Sequence, residues 1–265
     1  MIWRAEKAGR SFFLVGTAHF FPYCFTKSLT RLYRRVDTVL FEGPLDKASM
    51  EAVVNAGLKA RDMCLLDELD KPMRDRISCA LRLYAQEARL LKALQLESPL
   101  PVTIEAMIQG MRPWMAFFTI YTRYAAQEGW KHSVDMEAYQ LALKMKKNIA
   151  FLETIEEQIE VLDTLSIAQI LDFLGRIEHW RTYMNNMVKW YTDGDLDQIA
   201  SNPYGFPTRN AWVIDRRDEI MYQRMLPYVE RGDAAVCVGS PHVVGIRRLL
   251  REDGYEIECA ADALC

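Results

Sequence analysis

Several features are missing from these 265 residues, and each absence narrows the reading. No signal peptide is visible: the chain opens Met1-Ile2-Trp3-Arg4 and is polar by Glu6. No apolar run approaches the roughly 20 residues that a helix needs to span a bilayer. The longest, Pro113 to Ala126, is interrupted by Thr119, Thr122 and Arg123. The six cysteines (Cys24, Cys64, Cys79, Cys237, Cys259 and Cys265) form no CxxC pair, which argues against a zinc site built on cysteines. They are expected to be reduced thiols in a cytoplasmic protein. Charge of one sign is also missing. Lys plus Arg number 33 against 36 Asp plus Glu, a net charge of -3, so neither nucleic acid nor an anionic membrane is an expected partner. There is no HExxH, which excludes the common helical zinc-protease arrangement, and no low-complexity linker that would divide the chain.

What is present is a large apolar fraction, 50% of the residues, enough to bury a sizeable core. The N-terminus reads as a hairpin, with strands Met1 to Glu6 and Ser11 to Gly16 around an Ala8-Gly9-Arg10 turn. A helix from about Lys27 to Arg35 follows, then a β-rich run Val36 to Phe41, a strand–helix–strand order that favours parallel pairing. Helical spacing predicts helices over 46–57, 71–94, 103–128, 135–146, 155–165, 166–192 and 208–230, with a short strand at Asn148 to Leu152. Ala234 to Val238 predicts a strand, Val243 to Glu252 a helix ending at Gly254, and Tyr255 to Cys259 a last strand. The expected fold is α/β: one domain over 1–265, its central mixed sheet assembled from both termini. A large helical middle, about 46–146 and 155–230, would cover the sheet or cap it. Exposed faces of those helices allow a homodimer.

The chemistry stands at strand ends. Ser11 to Gly16 delivers His19, Val36 to Phe41 delivers Glu42, Asn148 to Leu152 delivers Glu153, and Ala234 to Val238 delivers His242. Ligands of open α/β sheets bind outside the carboxyl ends of the strands. Both histidines close a GxxH motif, Gly16-Thr17-Ala18-His19 and Gly239-Ser240-Pro241-His242, each expected to project its imidazole from a tight bend that leads into a helix. Imidazole with carboxylate suits Mn, Fe, Co or Zn. Other readings apply to single residues. Glu42 precedes Gly43-Pro44 turn chemistry, and Glu153 is placed as a charge at a helix N-terminus. His132 reads as a structural loop residue, and His179 as a packing or surface residue.

In order along the chain, these segments resemble the TraB/PrgY/GumN family, which includes the TIKI proteins. Trp3-Arg4 through His19 is similar to its opening strand pair and first GxxH, and Val36 to Glu42 to its second strand and glutamate. Asp135 and Lys147 lead to Phe151-Leu152-Glu153-Thr154-Ile155-Glu156-Glu157-Gln158, which resembles its LETxxEQ segment. Trp190 to Asp195, Arg209-Asn210, and Val238 to Gly245 with Gly254-Tyr255 are similar to the remaining motifs.

The resemblance implies a ChaN- or erythromycin-esterase-like α/β fold and a metal-dependent protease, with Mn or Co favoured and Zn or Fe as further candidates. It places His19, Glu42 and His242 at the centre, with Glu153, Arg209 and Asn210 as further members. The leading expectation is therefore a metallopeptidase acting on a peptide or protein. His19 and His242 would be its metal ligands, with Glu42 or Glu153 as the third. The other glutamate would be the general base on the metal-bound water, and Arg209 the group that stabilises the oxyanion or holds a peptide carboxylate. The alternatives are a metal-independent esterase-type hydrolase with His19 as base and Glu42 orienting it, and a non-enzymatic peptide- or haem-binding protein.

Overall fold

Half of the sheet comes from the first 41 residues and a third from the last 32, as the strand signals at both termini predict. The computed structural model describes residues 1–58, 63–83, 103–209 and 211–260. Strands β1 (Ile2–Lys7) and β2 (Arg10–Thr17) form a hairpin whose two loop residues, Ala8 and Gly9, both have positive φ (52° and 75°). This two-residue turn matches the twist of the strands. Helix α1 (Thr26–Tyr33) leads to β3 (Thr38–Phe41). Strand β4 is Asn148–Phe151, β5 is Ala234–Gly239 and β6 is Glu256–Cys259. They make one six-stranded sheet in the order β4-β3-β5-β2-β1-β6. The β4–β3, β3–β5 and β5–β2 pairs are parallel, and β1 is antiparallel to both β2 and β6. The carboxyl ends of β2, β3, β4 and β5 therefore lie along one edge, with β5, from the far end of the chain, between β2 and β3.

The inner strands are apolar on both faces, as sheets covered on both sides require. Alternate residues feed two separate cores. Phe12, Leu14, Leu40, Val236 and Val238 face one, and Phe13, Val15, Val39, Phe41, Ala235 and Cys237 the other. The first is covered by α12 (Ala211–Val229) through Met221, Tyr222 and Met225, and by α13 (Ser240–Glu252) through Val243, Ile246 and Leu250. The second is covered by α1 and by α7 (Val134–Lys144) through Ala138, Tyr139 and Ala142.

The remaining helices bury a core of their own. They are α2 (Lys47–Gly57), α3 (Leu65–Glu68), α4 (Lys71–Ala80), α5 (Ile104–Ile108), α6 (Pro113–Gln127), α8 (Ile155–Asp163), α9 (Ile167–Leu174), α10 (Trp180–Asp193) and α11 (Leu196–Ser201). Phe117, Phe173, Trp180 and Phe206 are its aromatic centre, with Phe173 stacked on Trp180 at 5.0 Å between ring centroids. The expected helical middle thus divides: 134–144 and 211–229 belong to the layers on the sheet, and much of the rest packs on itself.

Several predicted helices are shorter than their periodicity. The helix expected over 103–128 is broken between α5 and α6, where Gly110 takes φ +74° and Pro113 restarts the helix at its first turn. The 166–192 helix is interrupted after Leu174 by a 3-10 turn at Ile177–His179. Helix α4 ends at Ala80, with Arg82 at φ +51°; the rest of the helix expected to Leu94 falls beyond Leu83, outside the described residues.

Candidate functional site

Backbone pairing sets the site before any side chain is considered. Phe41 pairs with Cys237 and Phe151, and Thr17 pairs with Gly239. The ladders run one residue further, with the Glu42 amide donating to the Cys237 carbonyl at 3.2 Å and the Glu153 amide to the Glu42 carbonyl at 2.8 Å. Glu42 and Glu153 are therefore neighbours at adjacent strand ends.

Their carboxylates share one guanidinium. Arg217, in the middle of α12, donates from Nε to Glu153 Oε1 at 2.8 Å and from Nη2 to Glu153 Oε2 at 2.6 Å. The same Nη2 donates to Glu42 Oε1. The other Glu42 oxygen accepts the Gly239 amide at 3.0 Å. Burial works against the Glu42 charge, but Arg217, His242, His19 and the Gly239 amide outweigh it and hold the carboxyl well below the usual range. Burial likewise works against the Arg217 charge, and Glu42 and Glu153 outweigh it. Glu153 was also placed as an N-terminal charge of the following helix, but its side chain turns to Arg217 instead. The capping of α8 falls to Thr154 and Glu157, which exchange both bonds of a capping box.

Each of the two histidines has an aspartate carboxylate near Nδ1. His242 Nδ1 lies 2.6 Å from Asp218 Oδ1, and its Nε2 lies 4.0 Å from Glu42 Oε1. Both His242 and Asp218 are buried. Burial raises the Asp218 carboxyl above its usual value, while the contact with His242 pulls the other way. His19 Nδ1 lies 3.1 Å from Asp135 Oδ2. Asp135 is held from its other side by the Thr17 hydroxyl, which donates to Oδ1 at 2.5 Å. The Asp135 carboxylate raises the His19 pKa, an effect damped by the solvent around a side chain that is 68% exposed.

The two GxxH motifs are not equivalent in three dimensions. His242 sits in the first turn of α13, which begins at Ser240 rather than Val243. His19 is in a loop, and the next helix begins only at Thr26. Neither hydroxyl residue of the two motifs caps a helix. Thr17 reaches across to Asp135, and Ser240 is the first residue of α13.

Arg209 is elsewhere. Its guanidinium lies over the Phe206 ring at 5.6 Å and against Met187 Sδ at 3.1 Å, in the helical core. Among the described residues the guanidinium that reaches the strand-end glutamates is that of Arg217; Asn210 lies outside them.

Arg217 and Asp218 lie within the helix expected over 208–230, and no motif points to them. The signal was present: they occupy the inward stripe of α12 one turn before Met221 and Tyr222, where the i, i+3, i+4 pattern calls for apolar residues. Charges on such a stripe need partners. Gly245 in the closing motif makes room for one of them. A Cβ built there would stand 1.8 Å from Asp218 Oδ2. Gly245→Ala is expected to push Asp218 off His242 and destabilise the fold by about 1–3 kcal/mol, read by urea unfolding. An unchanged midpoint would mean that Asp218 can move without cost.

Donor chemistry decides which groups could hold a metal. Metal-bound histidines usually give their other nitrogen to a carboxylate. His242 Nδ1 is hydrogen-bonded to Asp218 with its Nε2 towards Glu42, and His19 Nδ1 lies 3.1 Å from Asp135 Oδ2. The three donors are not gathered tightly, and Glu42 already carries a guanidinium. Among the described residues the one trio of His, Cys, Asp or Glu donors within 4.8 Å of one another is Cys24, His132 and Glu137. A cavity of about 660 Å³ opens beside His19, walled in part by Phe20, Trp130, Arg123 and Lys131.

The sequence profile of the TraB/PrgY/gumN family matches residues 1–259. The chain belongs to this family. The match takes in every strand and all the residues of the site. No solved structure and no protein of curated function matches the chain. Among the described residues no helix is long and apolar enough to cross a membrane.

Proposed function

We propose that this member of the TraB/PrgY/gumN family is a metal-dependent peptidase whose reaction centre is the carboxyl edge of β2, β3 and β5. One observation carries the reading. Two histidines from opposite ends of the chain, each with Nδ1 near an aspartate, both help to keep a strand-end glutamate ionised. The donor types fit a divalent ion. His19 and His242 would hold it through Nε2, with Glu42 as the third ligand, and Mn or Co is the favoured ion. Such an ion supplies Lewis-acid polarisation of a carbonyl and an acidified water.

The chain's own residues have separate tasks. Asp135 and Asp218 fix the ring orientations. Arg217 takes the position expected of Arg209, keeping Glu42 ionised, pairing with Glu153 and providing positive charge beside the reacting group. Glu153, with both oxygens on Arg217, positions that guanidinium. The cavity beside His19, with aromatic and basic walls, receives the peptide. The sheet assembled from both termini also suits the ChaN- or erythromycin-esterase-like architecture.

The experiment is cleavage of a peptide library before and after exhaustive chelation. Activity is expected to disappear on chelation and to return with Mn or Co. The His19–Asp135 contact also suits a metal-independent hydrolase with His19 as base. Activity that survives chelation but not His19→Ala would select that second reading over the first.

A further inference from the structure

The trio Cys24, His132 and Glu137 lies outside the strand-end site, and nothing in the peptidase reading uses it. The residues come from three segments: the loop after β2, the stretch before α7, and the first turn of α7. One donor atom from each lies within 4.8 Å of the other two. The backbone brings them there. Phe21 and His132 exchange amide–carbonyl hydrogen bonds of 2.8 and 3.0 Å in an isolated antiparallel bridge. The Phe25 amide donates to Glu137 Oε2 at 3.0 Å, while Glu137 Oε1 lies 2.8 Å from His132 Nδ1. The Cys24 sulfur is exposed and 3.1 Å from the Thr26 hydroxyl.

We propose that Cys24, His132 and Glu137 form a second metal site whose donors suit zinc. Thiolate, imidazole and carboxylate are the three protein donors of zinc chemistry, with bonds of about 2.0–2.3 Å that place tetrahedral ligands roughly 3.3–3.8 Å apart. The present spacing needs only small side-chain adjustment to reach that. Cys24 faces solvent, so water can fill the fourth position. Binding would release the thiol proton and any proton shared by His132 and Glu137. No CxxC-type spacing marks this site because Cys24 is more than a hundred residues from His132 and Glu137, and the backbone contacts of Phe21 and Phe25 bring them together.

Its place in the fold gives the site a task. Cys24 lies five residues beyond His19, and His132 and Glu137 bracket Asp135, the carboxylate at His19 Nδ1. An ion there ties the loop carrying His19 to the helix start carrying Asp135. It lies beside the same cavity, which His19 and His132 both line.

The test is titration of the reduced full-length protein with cobalt(II), followed by zinc. A sulfur-to-cobalt charge-transfer band reports only a thiolate ligand, and the strand-end site has none, so the readout is independent of the peptidase reading. The expected result is a saturable band that zinc bleaches, whether or not the strand-end site also takes up cobalt. It should be lost in Cys24→Ser and in His132→Gln, both of which should keep the wild-type far-ultraviolet dichroism. Zinc should also raise the unfolding midpoint of the wild type by more than that of Cys24→Ser. No band in the wild type, or a band that persists in either folded variant, overturns the proposal.

Discussion

Replacing Arg217 with methionine is expected to destabilise the protein by about 3–5 kcal/mol at neutral pH, the range seen when one partner of a buried ion pair is removed. The guanidinium is 14% exposed, and the side chains of Glu42 and Glu153 are 15% and 3% exposed. Without it, two carboxylates at adjacent strand ends face each other with no cation between them. Urea unfolding in the presence of chelator would measure the loss without interference from added ions.

The pH dependence supplies a second signature. In the wild type the folded Glu42 pKa is depressed below its unfolded value of 4.5, so its contribution is full above that pH and is lost as the medium becomes more acid. In the variant, burial and like charge raise the carboxyl pKa values in the folded state. The folded form then binds more protons than the unfolded form, and the variant should gain stability as pH falls from neutral. Glu153→Gln added to Arg217→Met should recover part of the loss. A variant within about 0.5 kcal/mol of the parent, with the same pH slope, would show that Arg217 is not what holds the two glutamates together.

The second large effect separates a ligand from the group that orients it. Under the peptidase reading, His242→Ala is expected to abolish metal-restored hydrolysis at every metal concentration. Asp218→Asn keeps the ring and its surroundings but weakens the contact at Nδ1. It should lower metal affinity by about 10- to 100-fold and regain most of its activity at high metal. A titration of activity against Mn or Co distinguishes the two. If excess metal fails to restore folded Asp218→Asn, then Asp218 does not act by orienting a ligand.

Much was legible before folding because local chemistry dictates it. Short apolar, β-rich runs bounded by turn residues defined the strands, and the residues just after them are the ones a strand presents at the sheet edge. That placed His19, Glu42, Glu153 and His242, and the order of motifs placed the family, which the match over residues 1–259 shows. Helix ends were read less well, because Gly110 and the turn at Ile177–His179 break patterns whose apolar spacing continues past them.

What the sequence by itself determined was the α/β class, the strands and which titratable groups follow them. Only the tertiary structure decided their partners. Asp135, Arg217 and Asp218 lie on helices more than a hundred, sixty and twenty residues from the groups they contact, so no local spacing links them to His19, Glu153 or His242. The choice of Arg217 over Arg209 has the same origin. Both are basic residues close in sequence, but the packing of α12 on the sheet buries one beside two carboxylates and leaves the other in an aromatic core. A buried charge is held where the fold supplies its counter-charge, and that is fixed by packing between distant elements.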